Sequence, residues 1–148
     1  MTKNAILLSV QPRFAEKILE GKKKVELRRT RPRVDHGDMV IIYASSPVMA
    51  VIGSFAIDRL IMKRPNELWP LVEHKACISH EEFNRYYRGS RAGVAIFLSE
   101  ARPVNKPLGL EEIREAWPNF RPPQGFRYLA SMNQKAEIFV SAVSAESR

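Results

Sequence analysis

The sequence predicts an α+β fold, a small mixed β-barrel of five to six strands with helices packed on its outside. Two observations predict it. Apolar runs of strand length recur along the chain of 148 residues, and short segments with helical spacing lie between some of them. Neither an internal repeat nor an interdomain linker interrupts this order, so residues 1–148 are predicted to form one domain.

The first half of the chain carries four predicted strands and one helix. The first strand is the continuous apolar run in "NAILLSVQP", and a helix follows from Pro12, whose missing N–H is harmless in a first turn. Gly21 ends that helix. The next three strands are "VELRR", "MVIIYAS" and "PVMAVIGSFAIDRLIM", and Gly53 marks a bulge or bend in the last of them.

The second half mixes helices with a fifth strand. The segment "RPNELWPLVEHKACISHEEFNRYYRGS" is predicted to be helical, with a break or kink near Pro70 and another around Ser79. The fifth strand, "RAGVAIFLSEARPV", should stop at Pro103. A short helix, "GLEEIREAWP", and an extended stretch, "NFRPPQGFRYLA", follow. "AEIFVSAV" fits a sixth strand or a helix equally well, and "SAESR" is predicted to be a frayed tail.

The charge of the chain is concentrated in one place. The net charge is +8, with 24 Lys and Arg against 16 Asp and Glu, and residues 22–33 alone hold seven basic residues and one acidic one. We call residues 22–33 the basic segment. Such a stripe predicts RNA or a nucleotide as the partner, with DNA as the alternative polyanion. An acidic protein partner and a solvated face without a dedicated partner are the competing interpretations.

The cysteine content and the hydropathy of the chain limit the cellular locations and the kinds of site that the sequence predicts. The single cysteine, Cys77, excludes a disulfide within the chain and fits a cytoplasmic location. No apolar stretch approaches the length of a membrane span, so we expect no membrane association. His74, Cys77 and His80 lie three residues apart, but they lack a fourth ligand. We therefore expect neither a metal nor a cofactor.

The stretch "GKKKVELRR" at residues 21–29 raises the central question, because a carboxylate interrupts a run of cations. Strand alternation places Val25 and Leu27 toward the core and Glu26 and Arg28 together on the opposite face. A patch that only attracts polyanions would gain nothing from Glu26. Either the pair is a solvated surface ion pair that contributes little, or it belongs to a binding site.

Lys23 is a second possible partner of Glu26, either in a solvated surface ion pair or in a binding site. In an unbroken strand it would point to the other face, so it joins Glu26 only if the strand begins after it, in the turn that Gly21 opens. A Lys, a Glu and an Arg would then converge where the first helix meets the second strand. Their cations can bind phosphate or a carbonyl oxygen, and the carboxylate can accept from an exocyclic amine or a ribose hydroxyl.

These residues carry a resemblance to a known family. Gly21, Lys23, Glu26 and Arg28 spell G-x-K-x-x-E-x-R, and a strand and a helix, "ILLSVQP" and "PRFAEKILEG", precede them. This arrangement resembles the ASCH domain family of the PUA-like β-barrel superfamily. "AGVAIFLSEARPV" and "WPNFRPPQGFRYL" are similar to the form described as predicted transcriptional regulators. The resemblance covers about residues 4–130, which leaves 131–148 as a C-terminal extension.

The resemblance implies a PUA-like barrel whose motif-lined cleft takes RNA or a nucleotide. It also implies an alternative, a hydrolase that needs no metal. Some relatives remove the acetyl group of acetylated cytidine with a Lys, a Thr and a distant Glu, and ribonuclease activity has been proposed for others. Lys23 matches the lysine, but Glu26 stands at the threonine position. If the chain is an enzyme, we expect Lys23 and Glu26 to be catalytic, and Glu73, Glu81 or Glu82 is the candidate for the distant acid.

The remaining site residues are predicted from their positions beside the motif. Ser9, Gln11, Arg13 and Ser45 follow strand ends near the first helix. The segment after Pro123 can stack or read an unpaired base, or it can be a strap across the barrel with Phe126 in the core. The predicted ligand contacts are Lys23, Glu26, Arg28, Ser9, Gln11, Arg13, Ser45, Gln124, Phe126, Arg127 and Tyr128. The predicted phosphate contacts are Lys22, Lys24, Arg29, Arg31 and Arg33.

Overall fold

A computed structural model of the chain describes residues 4–144, which form six strands, five α-helices and one 3-10 helix. The strands are β1 (Ala5–Val10), β2 (Val25–Arg28), β3 (Met39–Ala44), β4 (Ala50–Lys63), β5 (Gly93–Gly109) and β6 (Phe126–Tyr128). The helices are α1 (Pro12–Leu19), α2 (Pro65–Val72), α3 (His80–Tyr86), α4 (Leu110–Ala116) and α5 (Glu137–Ser144), and the 3-10 helix spans Leu129–Ala136.

All six strands belong to one mixed sheet in the order β2-β5-β4-β3-β1-β6. β1 pairs with β3 in parallel, and the other pairs are antiparallel. The sheet curls into a half-barrel, and the helices pack on it, so the predicted α+β class and barrel architecture are confirmed. No helix of residues 4–144 is long and apolar enough to cross a membrane.

Strand alternation divides the core between the faces of the sheet. Ile6 and Leu8 of β1 pack with Ile18 of α1, whereas Leu7 points the other way, into a cluster with α4 and α5. A third cluster joins β2 and β5 to α2 and α3. As a result, the ends of β1, β2 and β3 meet the first turns of α1 and α3 at one edge of the half-barrel.

Two prolines act differently from the prediction. β5 does not stop at Pro103 but runs to Gly109. β2 pairs only with Val94–Phe97, so beyond this stretch β5 has a free edge within the described residues, where the missing N–H of a proline is tolerated. Likewise, α2 continues through Pro70 to Val72, and the first break in the helical segment follows it.

Three further segments refine the prediction. β4 begins at Ala50 rather than Pro47, because Met49 takes a positive φ of 52° in the preceding turn. The ambiguous segment "AEIFVSAV" lies in α5 and buries Phe139 and Val143 against the sheet. The 3-10 helix before it was not predicted. The predicted frayed tail lies outside the described residues, except for Ser144.

Candidate functional site: a cleft over Lys23, Glu26 and Arg28

An open cleft of about 640 Å³ lies at the edge where β1, β2 and β3 meet the first turns of α1 and α3. Most of its polar lining consists of residues that the sequence singled out. Nine of the predicted site residues line it: Ser9, Gln11, Arg13, Lys23, Glu26, Arg28, Arg29, Ser45 and Gln124.

The turn after α1 brings Lys23 into this cleft. Gly21 has a φ of 81°, and the backbone N–H groups of Lys22 and Lys23 both donate to the Lys17 carbonyl, at 2.9 and 3.0 Å. β2 starts only at Val25, so Lys23 is free of the strand's alternation. Its Nζ lies 3.9 Å from Glu26 Oε1, and the predicted convergence of these side chains is confirmed.

Arg28 completes the group, which we call the polar trio (Lys23, Glu26 and Arg28). The guanidinium donates to Glu26 Oε2 from Nε at 3.0 Å and from Nη2 at 2.7 Å. Nη2 also donates to the Ser9 carbonyl at 2.7 Å, which ties β2 to the end of β1. Lys23 Nζ donates to the Ala76 carbonyl.

Two members of the polar trio are buried, and the third, Arg28, is partly buried, with 16% of its side chain exposed. Lys23 and Glu26 are 3% and 4% exposed, which contradicts the alternative of a solvated surface ion pair. Both of the hydrogen bonds that Arg28 donates to Glu26 end on Oε2. Within residues 4–144, Glu26 Oε1 has no hydrogen bond, since Lys23 Nζ at 3.9 Å is too far for one. An acceptor therefore remains available at the floor of the cleft.

Burial also changes the acid–base character of Lys23. Removal of its ammonium from water lowers the pKa of Lys23 below the usual value, and the nearby Glu26 carboxylate opposes that shift only in part. A lysine with a lowered pKa can exchange a proton closer to neutral pH, as a general acid or base requires.

The lowered pKa predicts how stability depends on pH. Between the folded pKa of Lys23 and its unfolded value of about 10.4, the unfolded state binds more protons, so stability should rise with pH in this window. Urea unfolding of the wild type and of Lys23→Met at several pH values measures this effect. The unfolding free energy of the wild type, relative to that of Lys23→Met, should increase as pH approaches 10. A difference that is constant with pH would contradict the assignment.

Tyr43 is a cleft residue that the sequence did not point to, because an aromatic residue in a buried strand indicates core. It pairs with Ser9 across β1 and β3 and lines the cleft. Its hydroxyl is buried and has no hydrogen-bond partner among the described residues. Burial raises the pKa of Tyr43, so the phenol stays protonated and keeps a donor available. A buried hydroxyl without a hydrogen bond is costly, so it calls for an explanation such as a catalytic role or a bound water.

Two contacts from α3 form one wall of the cleft. Glu82 pairs with Arg13 of α1, and the Arg29 guanidinium donates to the Tyr86 carbonyl at 2.8 Å and lies 4.0 Å from the centre of the Tyr86 ring. Glu82 lines the cleft, whereas Glu73 and Glu81 are not part of its lining. Of the three candidates for a distant acid, the geometry therefore favours Glu82.

The predicted aromatic segment lies mostly outside the cleft. Phe126 and Tyr128 pack against the core beside β1, which agrees with the strap interpretation. Arg127 stacks on Trp117, with its guanidinium carbon 4.7 Å from the ring centre. Only Gln124 of this segment reaches the cleft.

The basic segment also lies partly inside and partly outside the cleft. Lys22, Lys24, Arg31 and Arg33 are exposed and are not part of the cleft lining. Lys22 pairs with Glu20 at 3.3 Å, and Arg33 lies over the Tyr128 ring. These cations can therefore meet a long ligand only outside the cleft.

Comparison with known proteins identifies the class. A model of the ASCH domain matches residues 8–119, and the chain belongs to the ASCH domain family. It is 32% identical over 123 residues to a protein of Zymomonas mobilis described as an ASCH domain-containing ribonuclease, with 83% of this chain and 82% of the relative covered.

Solved structures agree with this assignment. The crystal structure of ASCH from Zymomonas mobilis matches with a TM-score of 0.82 and 30% identity, over 90% of this chain and 93% of the other. A hypothetical protein from Leishmania major has a TM-score of 0.51 at 16% identity, over 93% of this chain and 96% of the other, which shows a shared fold alone.

Proposed function

We propose that this chain binds single-stranded RNA and holds one unpaired base in the cleft over the polar trio. The observation that carries the proposal is a buried Lys23–Glu26 pair, with the partly buried Arg28 beside it, at the floor of an open cleft of about 640 Å³. This volume lies in the range of small-ligand sites, so it suits one or two nucleotides and excludes a duplex. The ribonuclease relative supports a ligand of the RNA class.

The charge balance favours a base, rather than a phosphate, at the floor. Glu26 is paired with both Arg28 and Lys23, so it offsets one of the two positive charges and places a carboxylate where it would repel an anion. What remains is an acceptor on Glu26 Oε1 beside the donors of Lys23 Nζ. The Watson–Crick edge of an unpaired base presents a donor next to an acceptor, and protein side chains read such edges in single-stranded RNA.

Phosphates would lie at the rim and beyond it. Arg29 lines the cleft, and Lys24, Arg31 and Arg33 are exposed on the same segment. Phosphate contacts release counterions, by about 0.7 per contact for a single strand, so these four contacts predict a slope of about −3 for log K against log salt concentration.

Fluorescence anisotropy with a labelled RNA of eight nucleotides, and with its duplex as the comparison, measures this slope. The single strand should bind more tightly than the duplex, because only unpaired bases enter the cleft. An affinity that does not depend on salt concentration, or no binding to any RNA tested, would refute the proposal.

RNA cleavage is the second candidate, and the relative from Zymomonas mobilis favours it. Attack of a ribose 2′-oxygen on phosphorus needs one group to accept the hydroxyl proton and another to protonate the leaving 5′-oxygen. Lys23, with its lowered pKa, is the candidate to accept the hydroxyl proton, and Tyr43, which lines the cleft and has a hydroxyl without a hydrogen-bond partner in residues 4–144, is the candidate donor. Gel analysis of the incubated single strand tests this activity, and acetylated cytidine in a parallel assay tests the amidohydrolase alternative. A regulatory role in transcription stays a prediction.

A further inference from the structure

An ion pair bridges the mouth of the cleft. Arg13, in the first turn of α1, donates to both carboxylate oxygens of Glu82, in the first turn of α3. Both residues line the cleft, and their side chains are 53% and 28% exposed. The pair therefore lies between the polar trio and solvent, where a ligand that enters the cleft would meet it.

The Phe14 ring lies close both to Arg13 of this pair and to Lys23 of the polar trio. The guanidinium carbon of Arg13 lies 4.1 Å from the centre of the Phe14 ring, and Lys23 Nζ lies 4.7 Å from the same centre. The Arg13 guanidinium carbon and Lys23 Nζ are therefore at most about 9 Å apart. A base bound at Lys23 and Glu26 and an anion bound at Arg13 would be close enough to belong to one nucleotide.

A carboxylate and a phosphate can occupy the same place on an arginine. The guanidinium fork pairs with either through two parallel N–H···O bonds. Glu82 is held in α3 by its backbone, since its N–H donates to Ser79 Oγ at 3.0 Å. Its side chain can therefore leave Arg13 without unwinding the helix.

We propose that Arg13 is a phosphate ligand and that Glu82 occupies the phosphate position in the free protein. This inference rests on the proposed base site and specifies its ligand as a nucleotide with a phosphate beside the bound base. A nucleoside leaves the Arg13–Glu82 pair intact. A nucleotide must displace Glu82, so Glu82 weakens binding of the phosphorylated ligand alone.

Calorimetric titration of four nucleosides and their 5′-monophosphates tests the proposal. Glu82→Gln should tighten binding of the monophosphates by about fivefold, as expected for the loss of a partly exposed competing ion pair, and leave nucleoside affinity within about twofold. Glu81→Gln removes the same charge one residue away, outside the cleft lining, and should change neither. Arg13→Gln should weaken the monophosphates to the level of the nucleosides, whereas Lys17→Gln on the same helix should not.

The outcomes separate the two proposals. Equal effects of Glu82→Gln on nucleosides and monophosphates, or equal effects of Glu82→Gln and Glu81→Gln, would overturn the phosphate site and leave the base site standing. If nucleosides, monophosphates and the RNA of eight nucleotides all fail to bind the wild type, the base site is refuted and the phosphate site with it. Thermal unfolding of each variant checks that it folds.

Discussion

Replacing Glu26 with glutamine is expected to lower the free energy of unfolding by about 3 kcal/mol and to abolish RNA binding. Glu26 is the carboxylate to which both cations of the polar trio are paired. Glutamine has nearly the same shape, so the change removes charge rather than volume. It leaves the buried Lys23 and the partly buried Arg28 without a counter-charge, and removing one partner of a buried pair costs far more than the net stability of the pair.

Urea unfolding followed by circular dichroism measures this effect. Glu20→Gln is the matched control, because it breaks a carboxylate–cation pair of the same kind whose side chains are 52% and 69% exposed. That control should cost less than about 1 kcal/mol. A Glu26→Gln protein as stable as the control would show that Glu26 is not the counter-charge on which the two cations of the polar trio depend.

Lys23→Met has the second largest expected effect, and it falls on function rather than on folding. Methionine keeps the apolar length of the side chain and removes the buried ammonium, while Glu26 retains Arg28 as its partner. We therefore expect the variant to fold. Loss of a charged hydrogen-bond donor to the ligand should weaken RNA binding by about tenfold to a hundredfold.

Lys24→Met is the matched control for this variant. Lys24 is the next residue along the chain, but it is exposed and does not line the cleft. It should weaken binding by a few-fold at most, through one phosphate contact. If the chain cleaves RNA, Lys23→Met should also lose turnover while Lys24→Met retains it. Equal losses in the two variants would mean that only the charge of the basic segment matters.

Much of the site could be predicted because local rules determine it. The two-residue period of a strand separates Glu26 from Val25, and a glycine with a positive φ explains how Lys23 leaves that period. Both effects act within nine residues of the chain. The family motif then selected the same residues independently.

What could not be predicted depends on contacts between distant segments. Glu82 meets Arg13 across 69 residues, and neither side chain carries a local signal of its partner. Tyr43 looks like an ordinary core residue until its hydroxyl is found without a partner. Pro103 fails to end β5 only because β2 is too short to pair along its whole length, a fact of sheet order rather than of sequence.

A crystal structure of the complex with a short single-stranded RNA would show whether an unpaired base binds at Glu26 and Lys23. We expect one base in the cleft, with a donor of its edge within hydrogen-bond distance of Glu26 Oε1 and an acceptor within reach of Lys23 Nζ. RNA bound only along the exposed cations of the basic segment, with no base in the cleft, would contradict it.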